Sequence, residues 1–196
     1  MKLFWAPQTR STRAIWMLEE AGLHYDMEEI GIRDDDREDS NEFRGASPMG
    51  KVPALVDGDC AMSESAAICL YLADRYSAGT LAPLPDNPVR GRFLYWLMYT
   101  PAVIEPAMSE KFSGVEPNRG RSGWGDFDTM IATWEAGLGE GDWIVGNTFS
   151  AADIMLGSSA VFLRMFEMLP DSPILSGYAD RCLARPAYKK AMSISA

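Results

Sequence analysis

The first part of the chain alternates short apolar runs with a helical pattern. Residues Lys2–Ala6 form an apolar run that predicts a strand. Apolar positions recur at helical spacing over residues 11–21, and Gly22 follows as a C-terminal cap. Residues 25–32 alternate between polar and apolar side chains and predict a second strand. A strand, a helix and a strand in this order indicate that the two strands pair in parallel.

The pattern changes after this unit. Residues 33–50 are too polar for a core and predict a loop with a turn of helix. Residues 52–62 predict two strands joined at Asp57-Gly58, because glycine accepts the backbone conformation of a tight hairpin. Residues 63–76 show helical spacing again. The order β-α-β-(α)-β-β-α is that of a thioredoxin-like domain.

Everything after a proline-rich segment at residues 77–91 has a helical pattern. A long aromatic helix begins near residue 90 and is expected to bend at Pro101 and Pro106. A second helix lies within residues 123–138, and a third, within 150–169, is apolar almost all round and therefore central. Two short helices end the chain. We predict an α/β thioredoxin-like domain over 1–78, a linker over 79–89 and an all-α domain over 90–196.

Composition narrows the classes of function. The chain has 196 residues, 47% of them hydrophobic, and a formal net charge of −10. This balance is typical of a folded globular protein and disfavours nucleic acid and anionic membranes as partners. An anionic ligand therefore needs a local positive pocket.

Targeting and metal-binding signals are weak. No apolar run approaches the roughly 20 residues that span a bilayer, and the amino-terminal segment does not resemble a signal peptide. Cys60, Cys69 and Cys182 show no paired spacing and predict reduced, buried thiols. A single histidine, His24, disfavours a metal site or a histidine-based triad. We expect a cytoplasmic protein without a metal.

The stretch Pro48–Leu55 places a proline inside an apolar strand pattern. Pro53 has no N–H to give to a sheet, so one interpretation is an edge strand that begins there. Only about 5–6% of X–Pro bonds in folded proteins are cis, so the residues alone favour a trans Val52–Pro53 bond.

Four motifs give the chain a resemblance to a known family. They are the strand–turn–helix segment Ala6–Leu23, the dipeptide Val52-Pro53, "SESAAI" at Ser63–Ile68 and "GNTFSAADI" at Gly146–Ile154. In this order and spacing they resemble the soluble glutathione transferases over essentially the whole chain. The resemblance implies glutathione as co-substrate, a small hydrophobic electrophile as its partner in the reaction, and a homodimer.

The resemblance also implies where glutathione binds. In the family the Val52–Pro53 bond is cis, which leaves the backbone of Val52 free to pair with the cysteinyl part of glutathione as an added strand does. Ser65 is then expected to bind the γ-glutamyl carboxylate at a helix N-terminus, with Glu64 near the ammonium group. The alternative is that the serine only caps this helix.

Positive charge near this site is the next requirement. Lys51 and Arg10 are expected to neutralise the glycyl carboxylate, although a solvated lysine is an alternative interpretation. The "SAADI" segment has a structural meaning instead, since Ser150 and Asp153 have the spacing of a capping box.

The polar turn before the first helix carries the candidate catalytic groups. By resemblance, Thr9 lies where the serine-type classes place their catalytic serine, and Ser11 is the nearest serine. Arg10 and Thr12 remain further alternatives. The turn contains neither tyrosine nor cysteine, which disfavours the tyrosine-type classes and those that form a mixed disulfide with glutathione.

The electrophile is expected between the two domains. Trp5, Trp96, Tyr99 and Met108 are the candidates for its apolar wall, with plain core packing as the alternative for each. A glutathione-dependent peroxidase or thiol oxidoreductase, and a non-catalytic binding or regulatory protein, are the alternative functions.

Overall fold

The computed structural model describes residues 1–34, 36–139 and 141–195. Asp35 in the predicted polar loop and Ala196 at the end of the predicted helical domain lie outside the described residues. By internal contacts, the chain divides into two compact units. The first unit contains Met1–Ala78 together with the segment that begins at Ala184, and the second contains Gly79–Leu183.

The first unit contains a four-stranded mixed sheet in the order β2-β1-β3-β4. As predicted, β1 and β2 pair in parallel, whereas β3 runs antiparallel to both β1 and β4. The helix between the first two strands ends at Glu20, and Gly22, just after the C-terminal cap Ala21, has a φ of +63°. The elements in chain order are β1 (Lys2–Trp5), α1 (Ser11–Glu20), β2 (Asp26–Glu29), α2 (Asn41–Ala46), β3 (Ala54–Asp57), β4 (Cys60–Ser63) and α3 (Ser65–Tyr76).

One side of the sheet packs on α2 through a small apolar cluster. Phe4 and Phe43 are fully buried, and their ring centroids lie 5.3 Å apart. Ile30, Ala46 and Ala54 complete the cluster. Strand β2 ends at Glu29, three residues before the predicted end at Ile32. Ile30 lies one residue beyond β2, and it is buried because it packs in this cluster rather than because the strand continues.

The second unit is helical. Its elements are α4 (Arg90–Tyr99), a π-helical turn (Thr100–Ile104), α5 (Glu105–Phe112), α6 (Phe127–Leu138), α7 (Ala151–Met165) and α8 (Pro173–Ala184). The predicted bend at Pro101 falls in the π-helical turn, and Pro106 lies in the first turn of α5. The missing N–H of proline explains why the α-helical pattern is interrupted there. Eleven of the fifteen residues of α7 are buried, as its apolar sequence predicts.

Two domain boundaries differ from the expected ones. The segment 79–89 belongs to the second unit, where Leu81 and Ala82 are buried and the Leu81 carbonyl accepts a hydrogen bond from the Ala151 N–H. The last helix, α9 (Pro186–Ser195), belongs to the first unit because it packs along α1. A hydrophobic pattern identifies α9 as a helix but does not show which core its apolar side faces.

No helix in the described parts of the chain is both long and apolar enough to cross a membrane.

Candidate functional site

Three chain segments adjoin the sheet of the first unit at the same end. Phe4 of β1 lies beside Ala54 of β3, which lies beside Ser63 of β4. Strand β1 ends here, β3 begins here and β4 ends here. This register therefore brings together the turn that follows β1, the Val52-Pro53 dipeptide and the beginning of α3.

The Val52–Pro53 peptide bond is cis, as the family resemblance implies and contrary to the expectation from the residues alone. Pro53 is buried, Val52 is half-buried, and β3 begins one residue later at Ala54. Within the described residues, neither the N–H nor the C=O of Val52 makes a hydrogen bond. An extended peptide can therefore pair with this backbone without displacing an existing strand.

A tightly bonded loop fixes the chain just before Val52. The fully buried Ser47 hydroxyl donates to the Lys51 carbonyl at 2.7 Å and accepts from the Lys51 N–H at 2.9 Å. Gly50 has a φ of +65°. A Cβ at this position would lie 2.8 Å from the Arg44 guanidinium and 2.9 Å from that of Arg37. The loop thus favours glycine here for its backbone conformation, and a Cβ would also displace the ends of the two arginine side chains.

Two arginines hold this loop from outside. Arg37 donates to the Gly50 carbonyl at 2.7 Å, and both Arg37 and Arg44 form ion pairs with the nearly buried carboxylate of Asp39, at 2.9 and 2.6 Å. Lys51 itself is exposed. Sequence reasoning missed Ser47, Arg37 and Asp39, because the polar composition of residues 33–50 indicates a loop and does not show which side chains turn back onto it.

The helix α3 presents an uncapped N-terminus at the same end of the sheet. Glu64 precedes the helix with a φ of +75°, and its side chain makes no capping hydrogen bond to the described residues of α3. Ser65 is only 7% exposed, and its hydroxyl has no hydrogen-bond partner among the described residues. The first N–H groups of a helix favour an anion, and a serine hydroxyl adds a further donor. This arrangement can bind a carboxylate.

The turn that follows β1 holds two hydroxyl groups in direct contact. Thr9 Oγ1 lies 2.9 Å from Ser11 Oγ and 2.7 Å from the Ala6 carbonyl oxygen, and it accepts the Ser11 N–H at 3.1 Å. Ser11 is fully buried, and its Oγ accepts the Ala6 N–H at 3.3 Å. Thr9 is half-buried, whereas Arg10 is exposed. Of the two hydroxyls, that of Thr9 is the more accessible to a ligand.

The candidate apolar residues occupy different environments. Trp5, at the end of β1, and Met108, on α5, are half-buried. Trp96 and Tyr99 are buried in the helical unit, where the Trp96 ring covers Gly137 and the Tyr99 hydroxyl donates to the Met130 carbonyl at 3.0 Å.

An exposed aromatic cluster in the helical unit was not identified from the sequence. Phe162 and Phe166 stack at 4.5 Å between ring centroids, and Phe112 lies 6.4 Å from Phe166. All three rings are exposed. The spacing of Phe162 and Phe166, four residues apart, places both on one face of a helix. The continuous apolar pattern of residues 150–169 nevertheless suggested that all of these side chains are buried.

Metal chemistry has no obvious site in the described part of the chain, where no three His, Cys, Asp or Glu side chains are grouped to hold an ion. Cys69 and Cys182 are buried thiols and Cys60 is a half-buried one, and none of the three forms a disulfide with a described residue. Burial raises the pKa of Cys69 to about 12, so this thiol stays protonated at neutral pH.

The chain thus combines a thioredoxin-like unit, in which a cis-proline precedes β3, with a helical unit. Two family models match this chain. The glutathione S-transferase N-terminal domain matches residues 9–75, and the glutathione S-transferase C-terminal domain matches residues 93–184. The chain belongs to the glutathione S-transferase family.

Individual relatives agree with this assignment. Glutathione S-transferase Z1 of Arabidopsis thaliana is 37% identical over 98 residues, which is 50% of this chain and 38% of that protein. Dichloromethane dehalogenase of Methylophilus leisingeri is 29% identical over 183 residues, covering 85% of this chain and 67% of the relative. A sphingomonad glutathione S-transferase, solved in complex with glutathione, superposes with a TM-score of 0.81 at 28% identity, covering 100% of this chain and 98% of the other.

Proposed function

We propose that this protein is a glutathione transferase that ionises the thiol of glutathione and directs the thiolate onto a small hydrophobic electrophile. The unpaired backbone of Val52 carries this proposal, since it lies at the same end of the sheet as the hydroxyls of Thr9 and Ser65. A tripeptide that pairs with Val52 has a donor for its sulfur on one side and a carboxylate site on the other.

Each part of glutathione has a proposed partner. The N–H and C=O of Val52 pair with the cysteinyl residue, with Pro53 buried behind them. Ser65 and the first N–H groups of α3 bind the γ-glutamyl carboxylate, and Glu64 receives the ammonium group. Lys51 and Arg10 bind the glycyl carboxylate. Because the whole chain carries a net charge of −10, these local cations matter for binding an anionic tripeptide.

The turn supplies the energy needed to ionise the thiol. A thiol with a pKa near 8.5 is only about 3% ionised at pH 7, and lowering the pKa by about two units requires roughly 2.7 kcal/mol. One hydroxyl hydrogen bond to an anion contributes about 1.5–3 kcal/mol, and a helix N-terminus adds about 0.3–1 kcal/mol. We assign the hydrogen bond to Thr9, with Ser11 holding Thr9 in place.

The electrophile completes the reaction. The thiolate attacks an electrophilic carbon, a C–S bond forms, and the leaving group departs with the electron pair. We retain Trp5 and Met108 as candidate apolar contacts, because both side chains are half-buried. Trp96 and Tyr99 we now assign to the core of the helical unit. We also propose that the protein is a homodimer and that it acts in the cytoplasm.

Binding and ultraviolet titration test this function. The wild-type protein is expected to be retained on immobilised glutathione, and the bound thiol is expected to titrate with a midpoint near about 6–7 rather than about 8.5. Ser65→Ala is expected to weaken glutathione affinity about tenfold while leaving the thiol midpoint unchanged, since it removes a charge-assisted hydrogen bond remote from the sulfur.

Two results would contradict the proposal. Absence of glutathione binding removes the assignment of the whole site. Binding with a midpoint that stays near about 8.5 favours a glutathione carrier, because the thiol is then not activated. Ser63→Ala is the matched control for Ser65→Ala, since it removes a hydroxyl two residues earlier, in β4, and is expected to leave the affinity unchanged.

A further inference from the structure

The last helix of the chain lies antiparallel along the first. Just before α9, Arg185 forms a two-point ion pair with Glu20 at the end of α1, with Nη2 2.7 Å from Oε2. Along the helices, the rings of Tyr188 and Trp16 meet edge to face at 4.8 Å between centroids. These contacts fix the register of α9 against α1.

This register brings the end of α9 to the turn that holds the candidate catalytic hydroxyl. The Ser195 carbonyl accepts the Gln8 N–H at 3.0 Å, and Ser195 Oγ lies 3.0 Å from Thr12 Oγ1. Ser195 is only 2% exposed. Gln8 and Thr12 therefore attach the turn to α9 on both sides of Thr9 in the sequence.

The direction of the hydroxyl bond follows from proton counting. Ser195 Oγ donates its one proton to the Ala191 carbonyl at 2.8 Å, so it accepts the proton of Thr12. Without this acceptor the Thr12 hydroxyl has the Thr9 carbonyl, at 3.2 Å, as its alternative. Loss of the Ser195 hydroxyl therefore redirects a proton onto the backbone of Thr9 itself.

The backbone at Gln8 shows why the turn needs this attachment. Gln8 has a φ of +55°, a conformation that costs a residue with a Cβ about 1 kcal/mol or more. Such a residue persists only where its surroundings fix it. The bond from the Gln8 N–H to Ser195 is the contact that fixes it from outside the turn.

We propose that Ser195 is a positioning residue for thiol activation, which acts through Gln8 and Thr12 to hold the turn that presents the Thr9 hydroxyl to the sulfur. This inference rests on the proposed function and adds to it a residue remote in sequence. Ser195 itself does not touch glutathione in this proposal.

Ser195→Ala in the full chain tests the proposal, with Ser193→Ala as the matched control. Both serines lie on α9 and donate to a backbone carbonyl of that helix, but Ser193 is exposed and bonds only to Lys190 among the described residues. We expect Ser195→Ala to lower kcat about two- to tenfold at unchanged KM for glutathione, the rate equivalent of one neutral hydrogen bond. The thiol midpoint of bound glutathione is expected to rise by up to about one unit.

The titration separates positioning from a general loss of stability, because only folded, liganded protein contributes to it. Hydrogen exchange at the Gln8 amide gives a second readout that needs no substrate. Alanine keeps the carbonyl that accepts the Gln8 N–H, so we expect Ser195→Ala to accelerate this exchange only through loss of the Thr12 bond that holds residue 195 against the turn, and Ser193→Ala to leave it unchanged. If the thiol of glutathione bound to the wild-type protein titrates with the same midpoint as free glutathione, the proposed function fails. If wild type shows the lowered midpoint and the two serine variants behave alike in titration and exchange, the role of Ser195 is wrong.

A double-mutant cycle with Thr12→Val tests the route of the effect. If Thr12 acts through Ser195, the double variant is expected to match Thr12→Val, because loss of the Ser195 hydroxyl has no further effect once its donor is gone. Additive losses would show that Thr12 serves the thiol independently and would overturn the proposed coupling.

Discussion

Thr9 and Ser11 lie two positions apart but have different surroundings. Ser11 is fully buried and engaged by the Ala6 N–H, whereas Thr9 is half-buried and accepts the Ser11 N–H. The Ala6 carbonyl oxygen, 2.7 Å from Thr9 Oγ1, can only accept, so the Thr9 proton lies inside the turn and must rotate outward to reach a sulfur. The half-buried position of Thr9 allows this rotation, whereas Ser11 is enclosed. The geometry thus favours Thr9 as the donor to the sulfur and Ser11 as the side chain that orients it.

Substitutions at these two positions should separate donor from support. Thr9→Val keeps the shape but removes the hydroxyl, and we expect kcat to fall about 10- to 100-fold with little change in glutathione affinity, since one charge-assisted hydrogen bond is lost. Thr9→Ser is the control and should retain most of the activity. Steady-state kinetics with glutathione and a chromogenic aryl halide provide the measurement. A larger loss in Ser11→Ala than in Thr9→Val would reverse the assignment.

The sequence could place the candidate catalytic turn but could not choose between its hydroxyls. Spacing from Gly22 and the family resemblance locate the turn before α1. Accessibility of Thr9 and burial of Ser11 depend on Ala6 and on how the chain folds back, which no local pattern records. Ser195 was missed for a stronger reason, since 183 residues separate it from Thr12.

At the level of elements, the beginning of α7 shows how a local signal extends into the core. The predicted capping box is present, with Ser150 and Asp153 as its members. Asp153 is fully buried and also accepts hydrogen bonds from the Ile144 N–H and the Tyr178 hydroxyl, both at 2.9 Å. This carboxylate therefore joins the loop before α7, the helix itself and α8.

The burial of Asp153 makes the free energy of unfolding depend on pH. Burial raises the pKa of Asp153 from 3.8 to about 6, although its hydrogen bonds lower it. Between these values the folded protein holds a proton that the unfolded chain releases, so this group adds stability as the pH falls from 7 to 5, by about 1 kcal/mol. Asp153→Asn lacks this titration.

Urea unfolding of both proteins at pH 5 and pH 7 measures this effect. The wild type should gain more stability on acidification than Asp153→Asn, whatever the other carboxylates contribute, because those are common to both. Ser150→Ala should lose about 0.5–2 kcal/mol and keep a pH dependence at least as large as that of the wild type, because the Ser150 hydroxyl donates to Asp153 at 3.0 Å and its loss raises the pKa of this carboxyl further. Equal pH dependence in wild type and Asp153→Asn would show that Asp153 does not titrate in this range.

The elements themselves were largely predictable, whereas their partners were not. Apolar spacing identified α1, α3 and α7, because a helix that buries one face repeats that face in its sequence. The same spacing in α9 carries no information about which unit receives it. The pairing of α9 with α1 depends on specific side chains, such as Arg185 with Glu20.

At the scale of the whole molecule, the first unit is built from both ends of the sequence. Residues 1–78 supply the sheet and α1, and the segment from Ala184 supplies the helix that covers Trp16. Trp16 is fully buried and also donates to Glu20 at 2.8 Å, so the loss of α9 exposes a large aromatic side chain and a nearly buried carboxylate together. The sequence-based boundary at residue 78 therefore defines an incomplete unit.

Fragments of the chain test this organisation. For residues 1–78 alone, the free energy of unfolding should be lower by about 3–5 kcal/mol, as it is when a large core aromatic side chain is truncated. This loss is comparable to the whole stability of a small domain. We expect this fragment to lack a cooperative urea transition in circular dichroism. The same fragment joined to residues 184–196 by a flexible glycine–serine linker should regain that transition, with a blue-shifted tryptophan emission.

A linked form in which Tyr188 and Arg185 are both replaced by alanine is the control and should behave like residues 1–78. A cooperative transition in the short fragment would show that α9 is dispensable for folding and would restrict its role to the catalytic turn.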